Sequence, residues 1–411
     1  MKTIIRNIKE LVQVERTPRR KVLGKDMASI ETVKNAYLVV EDDRIAAFGN
    51  MQDIPEGTFD KEINAQGKML FPAFCDSHTH LVYADSREIE YIDKIRGLSY
   101  DEIAKRGGGI LNSAKRLQES SEQELYDSAL ARLEEITATG TGAVEIKSGY
   151  GLTTEAEMKM LRVIRRLKEN SPLTIKATLL GAHGVPMEYR GCQGEFVDLV
   201  IREMIPQAAS EGLADFIDVF CDQGFFTVEE TDRMLEAGTK YGMRPKIHAN
   251  EMACSGGVQV GVKYDALSCD HLEFVGNNEI EAFRNSNCMP TVLPGAAFFL
   301  NMQHSPVRKM MDAGLPVAMA SDYNPGSSPS GNMQLVLSFA CVNYRMTPEE
   351  AINATTINSA YAMDVVDRLG SIAVGKKANF FITKQIPTYE FMPYAYGNNK
   401  VDMMFLNGKQ V

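Results

Sequence analysis

Two histidines separated by one residue, His78 and His80, end an apolar stretch that has the pattern of a β-strand. Side chains two residues apart on a strand point to the same side, so both imidazoles could bind one metal ion. The sequence has six histidines, and three more lie at or near the ends of similar stretches, namely His183, His248 and His271. Another apolar stretch ends in a carboxylate, Asp322. This pattern favours a metal site built from the ends of several strands.

The predicted metal ligands are His78, His80, His248 and Asp322. Three imidazole nitrogens and one carboxylate suit zinc, and ferrous iron accepts the same set. A second ion would need a bridging group, commonly a carbamylated lysine on the fourth strand, and the predicted fourth strand contains no lysine. Lys147 falls on the second strand, where a salt bridge or a loop anchor is the simpler expectation. We therefore predict a single ion.

Groups that move protons and bind substrate are expected around this ion. A bound ion lowers the pKa of its water towards about 7 and so provides a hydroxide at neutral pH. Glu251, His271 and Asp322 are the candidate acids and bases, and Arg87 could hold an anionic group with two hydrogen bonds. A simpler role stays open for each of these residues. Glu251 could be a helix-start carboxylate and His271 a core histidine. Asp322 could cap a turn, and Arg87 could be a surface arginine. His304 is predicted to be a surface or capping histidine.

Eight strand-like stretches alternate with helical patterns in the middle of the chain, at residues 69–80, 142–149, 174–183, 215–221, 244–248, 266–274, 289–294 and 315–321. Apolar residues at helical spacing predict helices at 121–139 and 155–169. Eight β/α units in about 300 residues favour a TIM-like (β/α)8 barrel, in which chemistry takes place at the carboxyl ends of the strands. No GxGxxG motif opens a helix after the first strand, which argues against dinucleotide binding. Glycines 107–109 are predicted to form a mobile active-site loop.

Both ends of the chain read as β structure. Residues 36–49 are two apolar runs around an acidic turn, which predicts a hairpin. Stretches 378–383 and 401–408 near the C-terminus have the same apolar, strand-like pattern. We predict a small composite β-sandwich domain built from residues 1–66 and 365–411, beside a barrel domain over 67–364.

The composition limits the classes of partner and location. A formal net charge of −10 argues against a nucleic-acid or anionic-membrane surface. Seven scattered cysteines without a CxxC motif indicate reduced thiols rather than a disulfide framework. No apolar run approaches the ~18 residues of a membrane span, and the first residues lack the apolar core of a signal peptide. The expected location is the cytoplasm.

These residues together resemble the metal-dependent amidohydrolase superfamily. The shared features are the His-x-His after the first strand, the histidines on strands five and six, the aspartate after strand eight, and the composite β domain. Motifs of one group within the superfamily occur in the same order at residues 76–82, 107–110, 144–152, 180–183, 218–221, 293–296 and 321–329. The group often has a threonine where this chain has Ser327, which keeps the hydroxyl.

The resemblance implies a specific activity, hydrolytic ring opening of 4-imidazolone-5-propanoate to N-formimino-L-glutamate in histidine degradation. The implied mechanism is attack of a metal-bound hydroxide on the ring amide carbonyl, with proton transfer shared by Glu251, His271 and Asp322. The resemblance also implies a homodimer. It further implies a set of substrate-binding residues: Arg87, Tyr100, Tyr150, His183, Asn324, Gly326 and Ser327.

Two other readings use the same sequence features. A deaminase or another cyclic amidohydrolase would have identical ligands, and only the surroundings of Arg87, Tyr150 and Asn324 favour a substrate with a propanoate group. A barrel without catalytic activity, kept as an assembly module, would usually have lost metal ligands, whereas every predicted ligand is present here.

Overall fold

The computed structural model describes residues 1–98, 102 and 109–411. Its strands are β1 Lys2–Val14, β2 Glu31–Glu41, β3 Arg44–Asn50, β4 Lys61–Asn64, β5 Lys68–Pro72, β6 Phe74–Thr79, β7 Thr141–Lys147, β8 Thr174–Ala182, β9 Phe216–Cys221, β10 Arg244–Pro245, β11 Ile247–Ala249, β12 Ser268–His271, β13 Met289–Val292, β14 Ala318–Met319, β15 Phe380–Gln385, β16 Val401–Leu406 and β17 Lys409–Gln410.

The helices of the described residues are α1 Glu88–Ile95, α2 Ile110–Glu119, α3 Glu122–Ala138, α4 Thr154–Asn170, α5 Gln193–Leu199, α6 Ile205–Ser210, α7 Val228–Lys240, α8 Gly257–Lys263, α9 Asn277–Arg284, α10 Pro294–Phe299, α11 Val307–Asp312, α12 Met333–Tyr344, α13 Pro348–Thr355, α14 Ile357–Ala362 and α15 Phe391–Tyr394. Single 3-10 turns cover Gly24–Ala28, Met51–Asp53 and Met187–Tyr189, and Val200–Met204 is a π-helical turn between α5 and α6.

Strands β6 to β14 form the barrel, in the order β14-β13-β12-β11-β9-β8-β7-β6, with β10 beside β9. The pairings are parallel, as expected for strands connected by helices. Each of the eight strands predicted from sequence is found, the fifth as the two short pieces β10 and β11 on either side of Lys246. The predicted TIM-like barrel is confirmed.

Local signals in the sequence explain where the outer helices begin. Ser121 accepts the backbone N–H of Glu124 and Glu124 accepts that of Ser121, a capping box that starts α3. The Thr153 hydroxyl caps α4 by accepting the backbone N–H of Ala156. The buried residues of α4 recur at helical spacing and pack towards β8. Both helices lie within two residues of the predicted ranges.

The two ends of the chain build a second sheet, with the order β17-β16-β15-β5-β1-β2-β3 and β4 beside β1. The hairpin predicted at 36–49 is the antiparallel pair β2–β3. This sheet has an apolar core of its own, which includes Ile5, Leu38, Phe380 and Phe405. The C-terminal strands therefore complete a layer that the N-terminal strands begin.

The first predicted strand, 69–80, is two strands with different partners. Leu70 and Phe71 of β5 pair with Ile382 and Phe381 of β15 in the terminal sheet, whereas β6 pairs with β7 in the barrel. The single residue between them, Ala73, donates its N–H to the Asn379 carbonyl. An unbroken apolar run cannot reveal this division, because it depends on partners that lie about 300 residues away along the chain.

In the part of the chain that the structure describes, no helix is both long and apolar enough to cross a membrane. Gly107 and Gly108 of the predicted glycine loop lie outside the described residues, and Gly109, with φ of 86°, precedes α2. His304 is exposed, as predicted, and its ring lies beside Tyr344.

Candidate active site

A cavity of about 500 Å³ opens at the carboxyl ends of the barrel strands. It is lined by His80, Arg87, Lys94, Ile110, Tyr150, His183, Phe220, Phe225, His248, Glu251, Met252, His271, Leu300, Asp322, Asn324, Gly326 and Ser327. Most of the residues predicted from sequence to bind metal, protons or substrate are in this set. Phenylalanine, leucine and isoleucine side chains form its apolar walls, as is usual for small-molecule sites.

The closure of the barrel brings the first and last strands together at the His-x-His segment. The N–H of Asp322 donates to the His78 carbonyl (3.0 Å), and the N–H of His80 donates to the Tyr323 carbonyl (2.9 Å). Asp322 has a φ of 55°, which turns the chain sharply just after β14. These two hydrogen bonds fix the aspartate beside both histidines.

The predicted ligands form one compact cluster. His78 Nε2 lies 3.5 Å from Asp322 Oδ1, and His80 Nε2 lies 3.6 Å from the same oxygen. His248 Nε2 faces His80 Nε2 at 3.4 Å. A potential ligand atom of His183 lies within 4.8 Å of those of His80 and His248. A potential ligand atom of His271 lies within 4.8 Å of those of His78 and His248. The five histidines predicted at one rim therefore meet there.

The chemistry of this cluster fits a divalent cation. His78 Nε2 and Asp322 Oδ1 are buried and have no hydrogen-bond partner among the described residues, which is costly unless a ligand satisfies them. Burial, reinforced by neighbouring positive charges, lowers the pKa of both His78 and His80 well below the usual range. Neutral imidazoles next to a carboxylate are the form that binds a metal.

Two further carboxylates lie behind the histidine ligands. Asp270 Oδ2 lies 2.7 Å from His78 Nδ1, and Asp218 Oδ2 lies 3.0 Å from His248 Nδ1. A carboxylate at Nδ1 keeps the hydrogen on that nitrogen and would leave the lone pair of Nε2 available to a metal ion. Asp218 also accepts the backbone N–H of His248 at 3.1 Å, so it fixes the ring and its strand together.

Two buried lysines balance these carboxylates. Lys147 donates to Asp218 Oδ2 (2.7 Å) and Glu145 Oε1 (2.8 Å), which is the salt bridge expected from the sequence. Lys246 donates to the Ser77 carbonyl at 2.6 Å, and its ammonium lies 3.7 Å from Asp270. Burial favours the neutral form of Asp218, but its interactions with His248 and Lys147 outweigh it and hold its pKa well below the usual range.

The loop after β14 holds Asp322 from the other side. Ser327 donates its hydroxyl hydrogen to Asp322 Oδ2 at 3.0 Å. Asn324 donates to the Asp322 carbonyl at 2.7 Å, and its own side-chain oxygen accepts the N–H groups of Gly326 and Ser327. The Ser327 hydroxyl thus holds the aspartate in place.

Glu251 and His271 lie together at the same rim, with Glu251 Oε2 3.6 Å from His271 Nδ1. Burial, together with the carboxylates of Asp322 and Asp222, raises the pKa of Glu251 to about 8. Burial also lowers the pKa of His271 well below its usual range. The pair therefore combines a carboxyl group that holds a proton near neutral pH with an imidazole that stays neutral.

The predicted substrate-binding residues occupy two parts of the cavity. His183 stacks on the His80 ring at 4.8 Å, and Tyr150 meets both rings edge-on. Arg87 lines the cavity from the loop after the first barrel strand, next to Gly326. Tyr100, the remaining predicted contact, lies outside the described residues.

Several residues of the site were not predicted. Asp218 and Asp270 were missed as supports of the ligands, although each lies on a barrel strand close to a candidate histidine in space or sequence. Lys94 was also missed, although Arg87 and Lys94 are seven residues apart, two turns of a helix, and so share a face. The residues of the apolar walls could not be predicted from a sequence motif, because any large apolar side chain can form such a wall.

A (β/α)8 barrel whose strands end in a histidine and carboxylate cluster suited to a divalent cation has the architecture of an amidohydrolase. The model of the amidohydrolase family matches residues 96–411. A solved structure of atrazine chlorohydrolase TrzN from Arthrobacter aurescens, complexed with zinc, shares the fold: its TM-score is 0.71 at 15% identity, over 99% of this chain and 94% of that one.

Two curated relatives are similar along their whole length. An imidazolonepropionase from Christiangramia forsetii is 53% identical over 411 residues, covering 100% of both chains. An imidazolonepropionase from Alkaliphilus oremlandii is 41% identical over 411 residues, covering 99% of this chain and 97% of that one. The chain belongs to the amidohydrolase family and, within it, to the imidazolonepropionases.

Proposed function

We propose that this protein hydrolyses 4-imidazolone-5-propanoate to N-formimino-L-glutamate in histidine degradation. The observation that carries the proposal is the 53% identity to an imidazolonepropionase over the entire chain. The geometry supports it, because one cavity combines a metal-ligand cluster, a proton-transfer pair and an arginine. No observation favours a deaminase or a barrel without catalytic activity.

In this proposal His78, His80, His248 and Asp322 hold one divalent cation, zinc or ferrous iron. When bound, the cation would supply an activated water and polarise the carbonyl that the water attacks. Asp218 and Asp270 keep the ligand imidazoles oriented through their Nδ1 atoms. On the opposite side, the Ser327 hydroxyl holds the Asp322 carboxylate by a hydrogen bond.

Arg87 binds the substrate propanoate, since its guanidinium can form charge-assisted hydrogen bonds with a carboxylate. Gly326 is needed beside it, because a Cβ at that position would collide with the Arg87 guanidinium. Tyr150, His183 and Asn324 supply neutral hydrogen-bonding groups to the ring, and Tyr100, Gly326 and Ser327 complete the proposed contacts. These roles orient the ring amide towards the histidine cluster.

The reaction adds one water across the ring amide bond. The oxygen of the water joins the carbonyl carbon, which becomes the α-carboxylate of the product, and the bond from that carbon to the ring nitrogen breaks. The departing nitrogen takes up a proton and stays in the formimino group. Glu251, His271 and Asp322 take the proton from the water and return one to the nitrogen.

Three further proposals follow from the sequence. We propose the domain limits 1–66 with 365–411 for the terminal β domain and 67–364 for the barrel. We propose a homodimer, which sedimentation of the purified protein tests directly. We also propose a location in the cytoplasm and no binding of nucleic acid, in keeping with the net charge of −10.

The test is loss of freshly prepared 4-imidazolone-5-propanoate, followed by its ultraviolet absorbance and by chemical identification of the product. Chelator-stripped protein and samples refilled with zinc or with ferrous iron are compared. Metal-dependent formation of N-formimino-L-glutamate is expected. A metal-loaded sample that leaves the compound intact would overturn the proposed substrate, and screening of aminated rings and other cyclic amides would follow.

A further inference from the structure

The arginine proposed to bind the substrate carboxylate already has an acidic partner. Arg87 Nε donates to Glu90 Oε2 at 2.8 Å, and its NH2 group contacts the same oxygen. The other oxygen of Glu90 accepts the backbone N–H of Gly109 at 3.0 Å. Both charged side chains are largely buried, at 14% and 11% exposed. This pair has almost no net charge, so Arg87 alone attracts an incoming anion weakly.

A second cation lies in the same part of the cavity. Lys94 follows Glu90 by four residues on α1, so the two occupy one face of the helix. Its side chain is half-buried, lines the cavity with Arg87, and donates to the Gly326 carbonyl at 3.3 Å. An ammonium group has three donor hydrogens. One hydrogen bond to a carbonyl therefore leaves donors available for another acceptor.

The charges of these three residues match a ligand with one carboxylate. Among the residues that the structure describes, two cations and one carboxylate give a single net positive charge at this end of the cavity. Burial, followed by the nearby charge of Arg87, lowers the pKa of Lys94, and the Glu90 carboxylate offsets only part of this effect. A carboxylate placed between them would remove that repulsion.

We propose that Lys94 is a specificity-determining residue that binds the substrate carboxylate together with Arg87. The inference rests on the proposed function, because it takes the propanoate as the group that is bound. In this arrangement Glu90 positions Arg87, the Gly326 carbonyl positions Lys94, and the carboxylate is held between guanidinium and ammonium. The ring is thereby directed towards the histidine cluster.

The test compares Lys94→Met and Lys94→Arg with a control, Lys115→Met. Lys115 is an exposed residue of α2 that does not line the cavity, so its replacement makes the same change in total charge. We expect Lys94→Met to raise KM about tenfold, with kcat and metal content unchanged. Lys94→Arg is expected to stay within threefold of the parent KM, and Lys115→Met to match the parent.

Calorimetric binding of two analogues separates this inference from the proposed reaction, because it needs no turnover. Imidazole-4-propanoate carries the carboxylate and 4-ethylimidazole does not. Lys94→Met should weaken the former about tenfold and leave the latter unchanged. An unchanged KM and unchanged binding of imidazole-4-propanoate in Lys94→Met, or an equal loss in Lys94→Arg, would overturn the role of Lys94. Parent protein that binds imidazole-4-propanoate but leaves the substrate intact would overturn the reaction alone.

Discussion

Lys147 Nζ lies 2.7 Å from Oδ2 of Asp218, and both side chains are completely buried inside the barrel. Asp218 in turn approaches Nδ1 of His248. Lys147, which does not line the cavity, is thus two contacts away from His248, a proposed metal ligand. The charged groups beneath the site form one connected network with the ligands above them.

Replacing Lys147 should therefore destabilise the whole protein. Lys147→Met leaves the carboxylates of Glu145 and Asp218 buried without their cation, which costs about 3–5 kcal/mol in the free energy of unfolding. Urea denaturation measures this loss. Lys240→Met, which removes an exposed lysine from an (i, i+4) pair with Glu236, is the control and should unfold at the parent midpoint. A double variant, Lys147→Met with Asp218→Asn, should recover part of the loss, and no difference between Lys147→Met and the parent would contradict the network.

His248→Ala should lose the metal and nearly all activity. The substitution removes one of the three proposed imidazole ligands and leaves the proposed set incomplete. Elemental analysis of the purified variant is expected to show less than a tenth of the parent metal content. His304→Ala removes an exposed histidine that does not line the cavity, and it should keep both metal and activity. Retention of both by His248→Ala would remove His248 from the ligand set.

Asp270→Asn should weaken metal binding without removing a ligand. The amide keeps the size of the side chain but loses the charge that holds the hydrogen on His78 Nδ1. Loss of such a supporting carboxylate typically costs 10- to 100-fold in metal affinity. Competition with a chromophoric chelator measures the change, and Asp312→Asn on the surface serves as the control. An affinity equal to that of the parent would show that the carboxylate does not orient the ring.

Arg87→Ala should raise KM at least tenfold while the metal content stays at the parent value. The variant loses the charge-assisted hydrogen bonds and also leaves the Glu90 carboxylate facing the cavity, where it repels an anion. Steady-state kinetics and elemental analysis measure the two quantities. Arg116→Ala, which removes an exposed arginine paired with Asp85, is the matched control. An unaltered KM would place Arg87 outside the binding site.

Most of the fold followed from patterns that are local in sequence. The barrel strands were visible because buried parallel strands are short apolar runs, and the cluster could be anticipated because His78, His248 and Asp322 all follow such runs. The division of residues 69–80 between two sheets could not, because β5 is defined by Phe381 and Ile382 near the other end of the chain.

The residues that surround and orient the predicted site residues were harder to predict than the site residues themselves. Asp218 and Asp270 read as ordinary polar residues in strands, and only the closed barrel brings each within 3.0 Å of a ligand imidazole. Lys94 and Glu90 fall in a charged helix that could equally have faced solvent. Which face of α1 borders the cavity is set by tertiary packing, about which helical spacing gives no information.

The single residue Ala73 couples the position of the barrel to that of the terminal sheet. Because β5 ends at Pro72 and β6 begins at Phe74, the chain passes from the terminal sheet into the barrel without slack. The strand that carries His78 is anchored at its start by Asn379, from the far end of the chain, and at its finish by Tyr323. The terminal sheet thus fixes the position of the strand that carries His78. A shift of one sheet relative to the other would displace the histidines before either sheet lost its own strand pairing.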